Sequence, residues 1–310
     1  MSMWRENTTE AKLDELFSSI ESYRNGTEFK RLMKFCAEFH MVGVYNAMLI
    51  DTQRTGVTYA LNISGWREYN RRPKPDTHPV MILLPFGPVD FLYDVSDTEH
   101  IPGTPEVNYE KELEHIANPF KVEGELDPKI YEIFLSNLKY LGIKLNPRLF
   151  AGSTLAATIC REDGRENETI IYKGKPRGVI FPYHYRLSVN GNETDEEQFA
   201  SICHELGHYF CHHLEPPNDS WWEQRYVSRE QEEFEAECVA WLVCARRGIN
   251  STNSIEYLAS KCDKIPQIAM GTIMSAVDKI NHLFVKMNAS ESPLYKLSSE
   301  FYHNYTGKRR

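Results

Sequence analysis

No stretch of the sequence approaches the roughly 18 uninterrupted apolar residues that a membrane-spanning helix needs. The opening MSMWRENTTEAKLDEL is polar and acidic and lacks an apolar centre, so it does not read as a secretory leader. The seven cysteines show no framework spacing and no C-x-x-C pair. That pattern fits reduced thiols in a cytosol rather than a disulfide-stapled secreted domain. Positive charge is also short: the net charge is −9. Binding nucleic acid through bulk charge is thereby excluded, and any such contact needs a local basic patch. Internal repeats and low-complexity tracts are missing too. The expected location is the cytoplasm, with no membrane partner.

What remains is an ordinary globular composition, and 310 residues suggest about two domains. Residues 9–23 space Leu13, Leu16, Phe17 and Ile20 along one helical stripe, and EFKRLMKFCAEFH at 28–40 repeats the pattern. Short strand-like runs follow: VTYALNI, PVMILLPF at 79–86 and VDFLYDV at 89–95, the last two joined by a Gly87-Pro88 turn. Residues 99–108 are rich in proline, glycine and charge and are the expected linker.

A second module then opens with a helix over 128–143 and continues through strand candidates STLAATICR, ETIIYKG and YRLSVN. Thr194-Asp195-Glu196-Glu197 has the form of a helix N-terminus, with acids at the positive end of the helix dipole. A longer helix is expected over 228–247, stopping at Gly248. The fold class is α+β: a small N-terminal α+β domain over 1–105, then a larger domain over 106–310.

The chemistry concentrates in FASICHELGHYFCHH. His204-Glu205-Leu206-Gly207-His208 is H-E-x-x-H. Histidines at i and i+4 on a helix stack on one face and can share one Zn²⁺, with Mn²⁺ the alternative ion. Glu205 lies roughly 100° around the helix and suits a general base rather than a ligand. Gly207 leaves room for a neighbouring element. YRLSVN, just upstream, is expected to be an edge strand able to hold an extended peptide.

A catalytic zinc takes three protein ligands and a water. The third falls within the acidic run of the next helix, where Glu233 and Glu237 share a face with Ala236 and Ala240. Glu233 is the favoured ligand and Glu235, turned another way, the alternative. Glu237 would then orient a ligand histidine. His212 and His213 read as polar surface more readily than as pocket residues. Tyr183 and Tyr185 are candidates for the cleft wall and an oxyanion contact, and Cys203 and Cys211 for the core.

Two resemblances add to this. EQFASICHELGHYFCHHL and EEFEAECVAWLVCARRGI resemble the ImmA/IrrE metallopeptidases, with the zincin-like gluzincin order of H-E-x-x-H and then a glutamate helix. The second string is also similar to a segment of ArdC-type antirestriction proteins, in which Glu233 and Glu237 match and Glu235 faces an apolar residue. VGVYNAMLI, SGWREYNRRPKP, VMILLPF and FLYDVSDTE resemble the single-stranded-DNA-binding domain of the ArdC type.

The resemblance implies zinc-dependent peptide hydrolysis, a protein or peptide substrate and single-stranded DNA as a further partner. The alternative it implies is a non-proteolytic DNA-binding or antirestriction protein with a structural or vestigial metal site. The DNA contact would fall on Trp66, Arg67, Arg71, Arg72 and Lys74, with Asn46 a buried hydrogen-bonding residue. Against this, residues 1–100 hold 11 Lys and Arg against 14 Asp and Glu.

Overall fold

A computed structural model describes residues 26–84, 89–110, 113, 126–148, 156–172, 175–218, 221–249, 258–260 and 269–285. The helix expected over 9–23 and the tail beyond 285 lie outside these. Among the described residues no helix is long and apolar enough to cross a membrane.

Helix α1 (Gly26–Glu38) buries the apolar face predicted from its periodicity: Phe29, Leu32, Met33 and Cys36. Helix α2 (Val44–Gln53) has no counterpart among the sequence expectations. Its sequence VYNAMLIDTQ is apolar nearly all round, so no periodic stripe shows, and the helix is accordingly enclosed. A small sheet follows, in which β4 (Asp90–Asp94) is central between β1 (Ala60–Leu61) and β3 (Val80–Ile82), both antiparallel to it. The short helix α3 (Ile63–Glu68) carries Trp66, and β2 (Arg71–Pro73) pairs with β5 (Thr98–His100).

The open edge of β3 is closed by side chains. Asn46 exchanges two hydrogen bonds with the Leu83 backbone, both 3.0 Å, and Gln53 does the same with Met81, at 2.8 and 2.9 Å. Carboxamides thus stand in for a neighbouring strand and block further pairing there.

The larger module starts with α4 (Pro128–Asn137), capped by Asp127, and a 3₁₀ turn. Its sheet has the order β6-β8-β7. Strand β8 (Lys175–Asn190) runs parallel to β6 (Ile143–Arg148) and forms a hairpin with β7 (Ala157–Tyr172). YRLSVN therefore lies in the sheet centre, paired on both sides, and not at the expected edge; among the described strands β6 and β7 are the two edges. Alternation identifies a strand but carries no information on how many neighbours it has.

Helices α5 (Asp195–Phe210), α6 (Arg229–Arg246) and α7 (Met270–Asn281) complete the module. Among the described residues one apolar core extends from Phe29 and Met48 through Phe199 and Phe234 to Val277. Asp278 of α7 accepts the Val44 and Tyr45 N–H groups at 2.7 and 2.9 Å, satisfying the start of α2. Arg246 of α6 donates to the Cys36 and Phe39 carbonyls at 2.6 and 3.1 Å, closing the end of α1. Helices from the first sixty residues are thereby tied to those that carry the site.

Candidate metal centre

Helix α5 begins where the sequence predicts. Thr194 and Glu197 form a reciprocal capping box, with Asp195 and Glu196 in the first turn. Phe199, Ile202, Leu206 and Tyr209 bury one side. His204 and His208 lie on the other, one turn apart. Helix α6 crosses close by because Gly207 has no side chain: a Cβ there would stand 2.8 Å from the Ala236 Cα.

That crossing brings in Glu233. Its Oε2 lies 3.4 Å from His204 Nε2 and 3.8 Å from His208 Nε2, and the two nitrogens are 3.2 Å apart. Ligands placed tetrahedrally at the zinc distances of about 2.0–2.1 Å have donor atoms about 3.3 Å from one another. The triangle fits that requirement, and two imidazole nitrogens with a carboxylate oxygen are one of the donor sets of catalytic zinc sites. Burial, with His204 and His213 nearby, pushes His208 down to about 3, so it is neutral, the ligating form.

Glu205 faces elsewhere. Its Oε2 accepts the Ile159 N–H of edge strand β7 at 2.8 Å. Burial raises its carboxyl above the usual range, opposed by that N–H and by His204. The H-E-x-x-H helix and the sheet edge are thus joined through this carboxylate.

Glu235 is completely buried, and its carboxylate is saturated. Arg225 grips it at 2.7 and 3.1 Å, His213 Nε2 at 2.9 Å and Gln231 at 3.1 Å. These partners outweigh burial and hold its carboxyl down at about 2. Cys211, His213 and Glu235 also bring their potential ligand atoms within 4.8 Å of one another. The Arg225 guanidinium already supplies the cation there, which disfavours a metal ion at that cluster. Glu237 is half-buried one turn beyond Glu233.

The neighbour that hydrogen-bonds a ligand imidazole is not among the residues the sequence singles out for that task. His213 Nδ1 lies 3.1 Å from His208 Nδ1. Both His212 and His213 are buried, not surface residues. Their sequence signal is weak, because His213 reaches back only through His212 at φ 62, a conformation usually marked by glycine. Arg225, from a loop, has no local signal at all. Tyr185 is also not on a cleft wall: it is buried against Tyr209 and Trp222 and donates its hydroxyl to the Glu215 carbonyl at 2.6 Å. Tyr183 is half-buried, with the Lys144 ammonium 5.1 Å from its ring centre. Cys203 and Cys211 are core thiols.

The basic turn expected to contact DNA is largely occupied. Trp66 has no exposed surface and donates its indole N–H to the Tyr93 carbonyl at 2.7 Å, so it offers no face to a base. Arg71 donates to Thr98 at 2.7 and 3.0 Å and lies over Tyr109. Arg72 pairs with Glu99 at 2.9 Å, and Lys74 donates to the Ser96 carbonyl at 2.7 Å. Arg67 is exposed on α3.

No curated protein matches this chain. Among solved structures, the metal-free antirestriction ArdC protein from the R388 plasmid is similar over 78% of this chain and 84% of its own, at 11% identity and a TM-score of 0.36. Residues 160–246, which span β8 and both motif helices, match the model of the IrrE N-terminal-like domain of the M78 peptidase family.

Proposed function

We propose that the chain is a metal-dependent peptide hydrolase whose ion, Zn²⁺ or alternatively Mn²⁺, is held by His204, His208 and Glu233. The observation that carries this is the donor triangle of 3.2, 3.4 and 3.8 Å built across two helices. The M78 match over the same residues supports it. When bound, the ion supplies a Lewis acid that acidifies water and polarises a carbonyl.

The chain's own part follows from placement. Glu205, with its carboxyl raised by burial, takes the proton from the attacking water and returns it to the leaving amine. The outer edge of β7, where Ile159 turns its N–H to Glu205, lies beside this carboxylate and suits an extended peptide. The single-strand binding implied by the N-terminal resemblance has less support, since Trp66 is buried and three of its four basic residues are engaged within the fold.

The test is cleavage of an unstructured peptide library by zinc-loaded wild type and by Glu205→Gln. Cleavage by the wild type alone supports the reading. Equal cleavage by both overturns the role of Glu205, and none by a zinc-loaded wild type overturns the hydrolase.

A further inference from the structure

The end of α5 is a Schellman turn, and its geometry is tied to the metal centre. The His213 N–H bonds the His208 carbonyl at 3.0 Å, and the His212 N–H bonds the Tyr209 carbonyl at 3.3 Å. His212 supplies the left-handed residue at φ 62. In such turns the residue after the left-handed one commonly packs an apolar side chain on the residue five back. Here that pair is His213 and His208, and polar nitrogens meet at 3.1 Å instead.

The donors and acceptors along this path leave one assignment. Arg225 has only N–H groups to offer, so both Glu235 oxygens are acceptors. His213 Nε2, 2.9 Å from Glu235 Oε2, therefore carries a hydrogen. The His213 side chain is 1% exposed, and a neutral imidazole has one hydrogen and one lone pair. His213 Nδ1 is then a lone pair. At 3.1 Å it needs a donor, which places the hydrogen of His208 on Nδ1. His208 Nε2 is left as a lone pair, and this is the atom that faces His204 Nε2 and Glu233 Oε2.

We infer that Arg225, Glu235 and His213 are positioning residues that set the His208 tautomer and ring orientation for metal binding through a hydrogen-bond path running Arg225–Glu235–His213–His208. The inference rests on the metal-centre reading above. It gives Glu235 a task as a buried anchor, two hydrogen bonds removed from the donor triangle, and it recruits two residues that neither motif contains. Partners of this kind typically change metal affinity about 10- to 100-fold.

The experiment has two readouts on the full chain. Long-range proton–nitrogen NMR of histidine-labelled, chelator-treated wild type reports the tautomers without any metal. The expected result is Nε2–H on His213 and Nδ1–H on His208; Nδ1–H on His213 overturns the path. Zinc affinity by chelator competition then compares wild type, His213→Leu and His213→Gln. A leucine removes donor and acceptor, whereas a glutamine keeps one of each. The expected result is about a 10- to 100-fold loss in His213→Leu, recovered in large part by His213→Gln, with metal-free melting temperatures of the two variants alike.

Unaltered zinc affinity in His213→Leu overturns the positioning role. Wild type that binds no zinc overturns the metal centre itself, and the nitrogen shifts still report whether the path exists. If His213→Leu fails to fold, His213→Gln and the tautomers decide.

Discussion

Glu205 Oε2 and the Ile159 N–H meet at 2.8 Å, so the proposed base of the H-E-x-x-H helix is held by the edge strand and not by the ligands beside it. A glutamine at this position keeps an oxygen for that N–H but cannot take a proton. Glu205→Gln is therefore expected to fold and to bind zinc as wild type does, while hydrolysis falls about 10²- to 10⁴-fold. Zinc titration beside a cleavage assay checks this. Parallel loss of zinc and activity would assign Glu205 to the ligand set instead.

Glu233 and Glu235 separate by opposite signatures. Glu233 has a side chain 48% exposed, so Glu233→Ala should leave the melting temperature of the metal-free protein nearly unchanged and weaken zinc binding sharply. Glu235→Ala strands Arg225 and His213 without the carboxylate they share, and removing one partner of a buried pair costs about 3–5 kcal/mol. Denaturant unfolding of both metal-free variants makes the comparison. A stable Glu235→Ala that loses zinc outright would exchange the two roles.

Gly207→Ala tests the helix crossing. Its Cβ would meet the Ala236 backbone at 2.8 Å, and backbone cannot swing aside as a side chain does. The expected cost is about 1–3 kcal/mol. Zinc affinity should fall with it, because α6 carries Glu233. A Gly207→Ala protein with unchanged stability and zinc affinity would show that the two helices do not need this contact.

Acid sensitivity should begin earlier than carboxylates alone would give. Burial, then Lys279, Arg225 and His213, hold His212 down at about 3, and burial with Arg246 and Arg247 holds His40 at about 4. Unfolded histidines titrate near about 6.5. Between those values the unfolded chain binds protons that the folded chain refuses, so stability is full above about pH 6.5 and drains as pH falls toward 4. Melting temperatures of chelator-treated protein at pH 7.5 and 5 measure the slope. His212→Asn, which tolerates the left-handed backbone, should flatten it; an equal slope would exclude His212 as a source.

The site is legible where chemistry follows local spacing. Thr194 and Glu197 mark the start of α5, His204 and His208 share a face by their spacing, and Gly207 with Ala236 announces a close crossing. Asn46, expected as a buried hydrogen-bonding residue, does bond the edge of β3. What escapes depends on partners distant in sequence or on an unmarked turn. YRLSVN gives no sign that β6 and β7 flank it. Trp66 beside arginines has the look of a stacking platform, yet the Tyr93 carbonyl claims its N–H. His213 needs a left-handed residue that no glycine signals, and Arg225 reaches Glu235 from a loop with no periodic pattern.

The central claim is that His204, His208 and Glu233 together hold one metal ion. The most direct measurement is zinc per chain after loading and removal of excess, in wild type beside His204→Ala. The account predicts about one ion per wild-type chain with three protein ligands, and loss of the ion when one ligand is removed. Wild type without zinc, or His204→Ala retaining as much zinc as wild type, would contradict it.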